Sequence, residues 1–140
     1  MKQLRMTELQ KVSKDKIGHV NYNDVCLEAG EKATFEFLTL FGLNLEIIRP
    51  TNTKMAKNPD AMMLGVIWEA KTPTSANRNT IRNRFRNAAR QATNIIFDLR
   101  FVKGDADTVE KQVLAMFEAG GKVRRLIIVE KSGRVLDIHK

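Results

Sequence analysis

Two carboxylates and one ammonium group are the residues of this chain best spaced to do chemistry together. They lie in the run Asn58-Pro59-Asp60-Ala61-Met62-Met63-Leu64-Gly65-Val66-Ile67-Trp68-Glu69-Ala70-Lys71. Side chains alternate along a strand, so Glu69 and Lys71 share one face while Trp68 and Ala70 take the other. With Leu64-Gly65 as a two-residue turn, Met63 faces Val66, Met62 faces Ile67, Ala61 faces Trp68 and Asp60 faces Glu69. Directly opposed residues have Cβ atoms about 5 Å apart. Leucine is not the usual first residue of a tight primed turn, and a bulge there would shift the register. In the simplest register Asp60, Glu69 and Lys71 converge.

Opposed carboxylates repel, and a divalent cation removes that cost. Hard oxygen donors from Asp60, Glu69 and the backbone carbonyl of Ala70 suit Mg²⁺ or Mn²⁺, with Zn²⁺ as the alternative. Such an ion lowers the pKa of a bound water and neutralises charge developing on a phosphate. Lys71 would orient the attacking water or stabilise the transition state. The competing reading is an exposed hairpin with an ordinary Glu-Lys pair.

The segment after Lys71 carries the chain's clearest charge pattern. From Ala70 to Phe97 there is no acidic residue, while Arg78, Arg82, Arg86 and Arg90 recur every four residues. Ile81, Phe85, Ala88 and Ala92 fall at helical spacing and predict the buried face of a helix over about Asn77 to Ala92. Asn77, Asn79, Asn83 and Asn87 stand where a solvated helix would carry glutamates. Arginine and asparagine together contact phosphates and base edges, and the helix N-terminus is itself a phosphate site. Thr72, Thr74 and Asn77 join the four arginines as candidate nucleic-acid contacts, in a stripe that starts beside the acidic pair.

Composition narrows the class. The 140 residues fit one domain, 43% hydrophobic and 29% charged, with formal net charge +8. That charge, with a pI near 9.9, favours a polyanionic partner. Cys26 is the only cysteine, which excludes an internal disulfide and a thiolate metal cage; its setting in VCLEA reads as buried packing. No apolar stretch is long enough to span a bilayer, and MKQLRMTELQK lacks a signal-peptide core, so no membrane partner is expected. His19 and His139 have no ligand spacing to one another, and no glycine-rich phosphate loop is present. The methionines and Trp68 read as core.

Periodicity and turn residues place the elements. Residues 1–23 read as an arm or linker, with a short helix over 3–14, and 24–140 as a single domain. A helix is expected from Asp24, its N-cap, to Phe41, with Ala33, Phe37, Leu40 and Phe41 as its apolar stripe and Gly42 as its stop. Strands follow at Leu43–Arg49, Asp60–Met63 and Val66–Lys71, with a polar loop at Thr51–Asn58. Beyond the arginine helix come a strand at Asn94–Arg100, a helix at Asp105–Ala119 and a hairpin of Arg125–Lys131 and Val135–Lys140. The order α-β-β-β-α-β-α-β-β implies an α/β (α+β) fold, a mixed central sheet flanked by helices.

The Pro-Asp, Gly turn and Glu-x-Lys spacing resembles the PD-(D/E)xK nuclease superfamily, whose restriction-endonuclease-like core has the same α-β-β-β-α-β order. That resemblance implies metal binding by Asp60 and Glu69 and assistance from Lys71. It also implies a helical glutamate, Glu31 or Glu28, at the metal. Gln91 resembles the glutamine some members place nearby, although Ile95 stands where the usual aromatic would. The runs NPDAMMLGVIWEAKTP, NTIRNRFRNAARQATNIIFDLR and RRLIIVEKSGRVLDI further resemble the C-terminal nuclease domains of contact-dependent growth inhibition (CdiA-type) toxins. This implies a tRNA-cleaving toxin acting in a target cell's cytoplasm, with DNA as the other substrate, restrained by an acidic immunity protein. Some such toxins use the metal-free barnase–EndoU–colicin–RelE fold, in which case Lys71, Thr72, Thr74, Arg78 and Arg82 become the catalytic candidates. A non-catalytic nucleic-acid-binding domain and an acidic-protein-binding module are the remaining classes.

Overall fold

The computed structural model describes residues 4–51 and 57–140. Their strands are β1 (Arg5–Leu9), β2 (Val20–Asn21), β3 (Leu45–Ile47), β4 (Ala61–Met63), β5 (Val66–Lys71), β6 (Asn94–Asp98), β7 (Arg125–Val129) and β8 (Val135–His139). The helices are α1 (Ala29–Thr39), α2 (Arg78–Gln91) and α3 (Ala106–Glu118), with a single 3-10 turn at Lys14–Lys16. One sheet runs β1-β8-β7-β6-β5-β4-β3-β2. The pairs β5–β6, β6–β7 and β2–β3 are parallel and the others antiparallel.

The sheet separates two cores. On one face Ile81, Phe85 and Ala88 of α2 and Val109, Val113 and Phe117 of α3 cover Ile95, Phe97, Leu126 and Ile128. On the other, Phe35 and Leu38 of α1 cover Trp68, Ala70, Ile96 and Ile127. Trp68 is fully buried, as expected, and its indole N–H donates to the Met63 carbonyl at 2.8 Å. The central β6 and β7 are apolar on both sides because each faces a helix layer. The order from α1 to β8 is the one read from the sequence.

The N-terminal segment differs from its expected form. Residues 5–9 form no helix; they pair antiparallel with β8, Arg5 opposite His139 and Leu9 opposite Val135. Both outer strands, β1 and β2, thus come from the first 23 residues. Helix propensity over so short a polar run is weak, and the unpaired backbone of β8 offers a full ladder of hydrogen bonds instead. Cys26 is exposed, against the expected burial. Met63 is core, but Met6 and Met62 are exposed. The expected loop at Thr51–Asn58 falls mostly on residues 52–56, outside the described residues.

Helix α1 begins four residues later than expected, with Glu28 at the N-cap position and no side-chain capping bond. Asn23 and Asp24 both have positive φ, 49° and 58°, so Asp24 lacks the extended backbone an N-cap needs. Asn23 instead spends its side-chain N–H on the Ile47 carbonyl, at 2.6 Å. The buried stripe is Thr34, Phe35, Leu38 and Thr39. Phe37 lies on the flank, edge-on to Phe41 and beneath the Arg100 guanidinium, 4.0 Å from the ring centroid.

The β4–β5 turn forms in the simple register: Met63 opposes Val66, Met62 opposes Ile67 and Ala61 opposes Trp68. Leu64 and Gly65 have φ of 55° and 75°, the positive values a type I′ turn requires. Leu64 bears the steric cost of that conformation and half of its surface is in solvent. Leu64→Asn is expected to raise stability by about 1 kcal/mol, read by urea denaturation. A loss would show that Leu64 makes contacts outweighing its strain.

Candidate active site

Asp60 stands at the mouth of β4, where three strands meet. Its carbonyl accepts from Ile48 N–H and its own N–H donates to the Trp68 carbonyl, both at 3.0 Å. The second bond departs from the straight ladder in which Asp60 would oppose Glu69. The carboxylate is nevertheless held over β5: Asp60 Oδ2 accepts the Ala70 N–H at 2.8 Å. Glu69 follows Trp68 on β5 and is buried, 5% exposed. Its Oε2 lies 3.2 Å from Lys71 Nζ, while Oε1 is buried with no hydrogen-bond partner.

A third carboxylate arrives from the first turn of α1. Glu31 lies close enough to Asp60 to exchange a hydrogen bond with it. This approach depends on Gly30, where a Cβ would stand 2.7 Å from Thr72 Oγ1. The bare glycine lets the start of α1 rest against the residue that follows β5. Of the two helical glutamates considered, Glu31 is therefore the one beside Asp60; Glu28 stands at the N-cap position without a capping bond and lines the same cleft.

The electrostatics follow from crowding. Burial, then Asp60, pushes the Glu31 carboxyl up to about 7. Burial, then Glu69, pushes Asp60 up to about 6, against the Ala70 N–H and Lys71, which lower it. Glu69 is raised by burial, with Lys71 opposing. Three carboxylates thus share one neighbouring ammonium, and one buried oxygen has no donor. Hard anionic oxygens in deficit of positive charge are the donor type that Mg²⁺ or Mn²⁺ takes. Among the described residues, however, no group of three or more His, Cys, Asp or Glu side chains is placed to hold a metal ion as it stands. Asp60 Oδ2 and Glu69 Oε2 are committed to Ala70 N–H and Lys71 respectively.

Glu31 and Glu69, though not Asp60, line a cleft of about 820 Å³ whose walls also include Lys71, Thr72, Thr74 and Arg84. The arginine stripe, expected beside the acids, lies elsewhere. Arg78, Arg82 and Arg86 line a separate groove between α2 and α3. The exposed Arg90 donates to Asn87 Oδ1. Only Arg84 reaches the cleft. Two residues on from Arg82 is a turn of roughly 200°, which carries Arg84 to the opposite flank of the helix. Regular i,i+4 counting passes over such a residue; asking which arginine projects toward β5 would have found it.

Two further candidates have local duties. Asn77 is the N-cap of α2 and accepts from the N–H groups of Asn79 and Thr80, at 2.9 and 3.2 Å. These donors, expected to meet a phosphate, are thus already engaged. Gln91 Oε1 accepts the Asn58 N–H at 2.7 Å, anchoring the chain two residues before Asp60. Asp98 and Arg100, which drew no attention as sequence, form a buried ion pair joining β6 to α1.

No curated protein matches this chain. Among solved structures it is similar to a chain of the CdiA-CT/CdiI toxin and immunity complex from Burkholderia pseudomallei, with TM-score 0.66 and 18% identity over 88% of this chain and 100% of that one. At that identity the likeness is one of fold. Residues 57–135 match the family described as contact-dependent growth inhibition CdiA C-terminal domain, a span running from just before Asp60 into β8. Since the match takes in more than half of its residues, the chain belongs to the CdiA C-terminal domain family.

Proposed function

We propose that this chain is a metal-dependent nuclease of PD-(D/E)xK type. In this reading it is a single toxin domain that cleaves RNA, tRNA in preference to DNA, in the cytoplasm of a target cell. The observation carrying this reading is the cluster of buried Glu69 with half-buried Glu31 and Asp60 beside Lys71, at a cleft that Glu31, Glu69, Lys71 and Arg84 line. Family membership and the α-β-β-β-α-β order support a restriction-endonuclease-like core.

Asp60, Glu69 and the carbonyl of Ala70 would hold the cation, with Glu31 as the further carboxylate. A divalent ion bound there supplies a low-pKa water and offsets charge developing on the phosphate. Lys71 is placed to orient that water or to stabilise the phosphorane charge. Arg84, Thr72 and Thr74 line the wall across which the scissile phosphate would lie, the guanidinium supplying a fork for its oxygens. The related complex pairs a toxin with an immunity protein, and the +8 charge of this chain suits an acidic partner of that kind.

Incubation with total tRNA and with plasmid DNA tests the reading. Cleavage of tRNA is expected with Mg²⁺ or Mn²⁺, arrested by EDTA and restored by excess metal. Full-rate RNA cleavage in EDTA would transfer the activity to a metal-free mechanism. Intact substrates with Mg²⁺, Mn²⁺ and Zn²⁺ would leave a binding domain rather than an enzyme.

A further inference from the structure

The groove between α2 and α3 encloses about 570 Å³ and lies on the flank of α2 opposite Arg84. Arg78, Arg82 and Arg86 form one wall and Lys111 of α3 stands on the other. No acidic side chain lines it, and none of these three arginines forms an ion pair among the described residues. Asp105, which caps α3, lies within the electrostatic reach of Lys111. Gln112 Nε2 donates to the Arg78 carbonyl at 2.8 Å and ties the two walls together. Four cations therefore line a preformed groove, none of them in an ion pair among the described residues, although Arg82 donates to Asn79 Oδ1 at 3.4 Å. Like charges held in a row cost stability, so the arrangement calls for an external polyanion.

We propose that this groove is a second nucleic-acid site, which grips the sugar–phosphate backbone of the substrate outside the cleft. The proposal rests on the nuclease reading in one respect: the strand in the groove belongs to the molecule whose other part enters the cleft. Successive arginines rise about 6 Å along α2, a row about 12 Å long. A nucleic-acid strand repeats its charge every 3.4 Å of helix rise, so the row spans about three to four phosphates. A polyphosphate supplies such a row by its covalent structure, whereas an acidic protein would need carboxylates placed one by one. Ala76, Ala115 and Met116 give the groove an apolar floor on which sugars can rest. With Arg84 on one flank of α2 and the row on the other, a substrate long enough to pass around the helix meets both, and a short one meets only the cleft.

Binding is read by fluorescence anisotropy in a Glu69→Gln background, so that cleavage plays no part, with six-nucleotide and forty-nucleotide RNA probes and a forty-nucleotide DNA. Arg82→Glu/Arg86→Glu is expected to weaken the long probes about tenfold or more and to reduce the log–log salt slope by roughly 1.4–1.8, two phosphate contacts' worth. The six-nucleotide probe should change less than twofold. Lys111→Glu, on the other helix, should give the same length-dependent loss and guards against a local fault in α2. Comparison of the long RNA and DNA assigns the backbone. Equal losses on short and long probes, or none on the long, would overturn the proposal. So would an unchanged long-probe affinity with weakened binding of polyglutamate, which would give the groove to an acidic protein. A positive binding result from a chain that cuts nothing with Mg²⁺ would refute the nuclease reading alone. A cutting enzyme indifferent to these variants would refute the groove alone.

Discussion

Asp60→Asn and Glu69→Gln are each expected to lower divalent-dependent cleavage by about 10²–10³-fold or more and, at the same time, to stabilise the cation-free protein. The two effects share one cause. Asp60 and Glu31 rise from ordinary values of 3.8 and 4.5 to about 6 and about 7 on folding. Between those limits the folded chain binds more protons than the unfolded one, so stability falls as pH rises from about 4 to about 7 and stays lost above. An amide in place of a carboxylate removes one repelling charge, on the order of 1 kcal/mol after solvent screening.

Divalent cation should act in the opposite sense, raising wild-type stability at pH 8 and adding little to either variant. Glu110, raised to about 7 by burial and by Glu130, tilts the pH profile the same way, so the contrast between variants is the measurement. Urea denaturation at pH 5 and pH 8, with and without Mg²⁺, reads all of this. Variants that cleave like the parent, or that are less stable than it at pH 8 without metal, would remove Asp60 and Glu69 from the proposed site.

Asp98→Ala is expected to destabilise the fold by about 2–3 kcal/mol, the cost of removing a buried carboxylate that accepts from Thr34 and from the partly exposed Arg100. Asp98 is wholly buried and accepts from Thr34 Oγ1 at 2.6 Å, Arg100 Nη2 at 2.7 Å and the Arg100 N–H at 3.1 Å. Arg100 in turn donates to the Ala33 carbonyl at 3.2 Å. These bonds pin α1 to the end of β6 one turn after Glu31. The variant should therefore lose cleavage beyond its loss of folded protein, although Asp98 lines no part of the cleft. Chemical denaturation together with activity per folded molecule tests both. A stability change under about 1 kcal/mol would mean that Arg100 finds equal solvation without its partner.

The candidate site was partly legible because its key spacing is local. One turn separates Asp60 from Glu69, and the two-residue turn sets the hairpin register as far as Ala61 opposite Trp68; beyond it Asp60 leaves the straight ladder and reaches β5 through its carboxylate. The same holds for the buried faces of α2 and for the Asp105 cap of α3, which depend on periodicity and one side-chain hydrogen bond. Glu31 was one of two candidates, and choosing between them required the distance between α1 and β5. That distance follows from a glycine meeting a threonine 42 positions away in sequence, Gly30 against Thr72.

By itself, then, the sequence determined the order of elements from α1 onward, the hairpin that sets Asp60 one turn from Glu69 and Lys71, and the amphipathic character of the arginine helix. These are consequences of the two backbone periods and of turn chemistry, which act over a few residues. Only the tertiary structure decided which flank of α2 faces the acids, so that Arg84 enters the cleft while Arg78, Arg82 and Arg86 line the groove with α3. It alone also drew residues 5–9 into the sheet and buried Asp98 with Arg100. A helix's period tells which residues share a face; what that face meets is settled by packing between elements distant in sequence, where burial outweighs local preference.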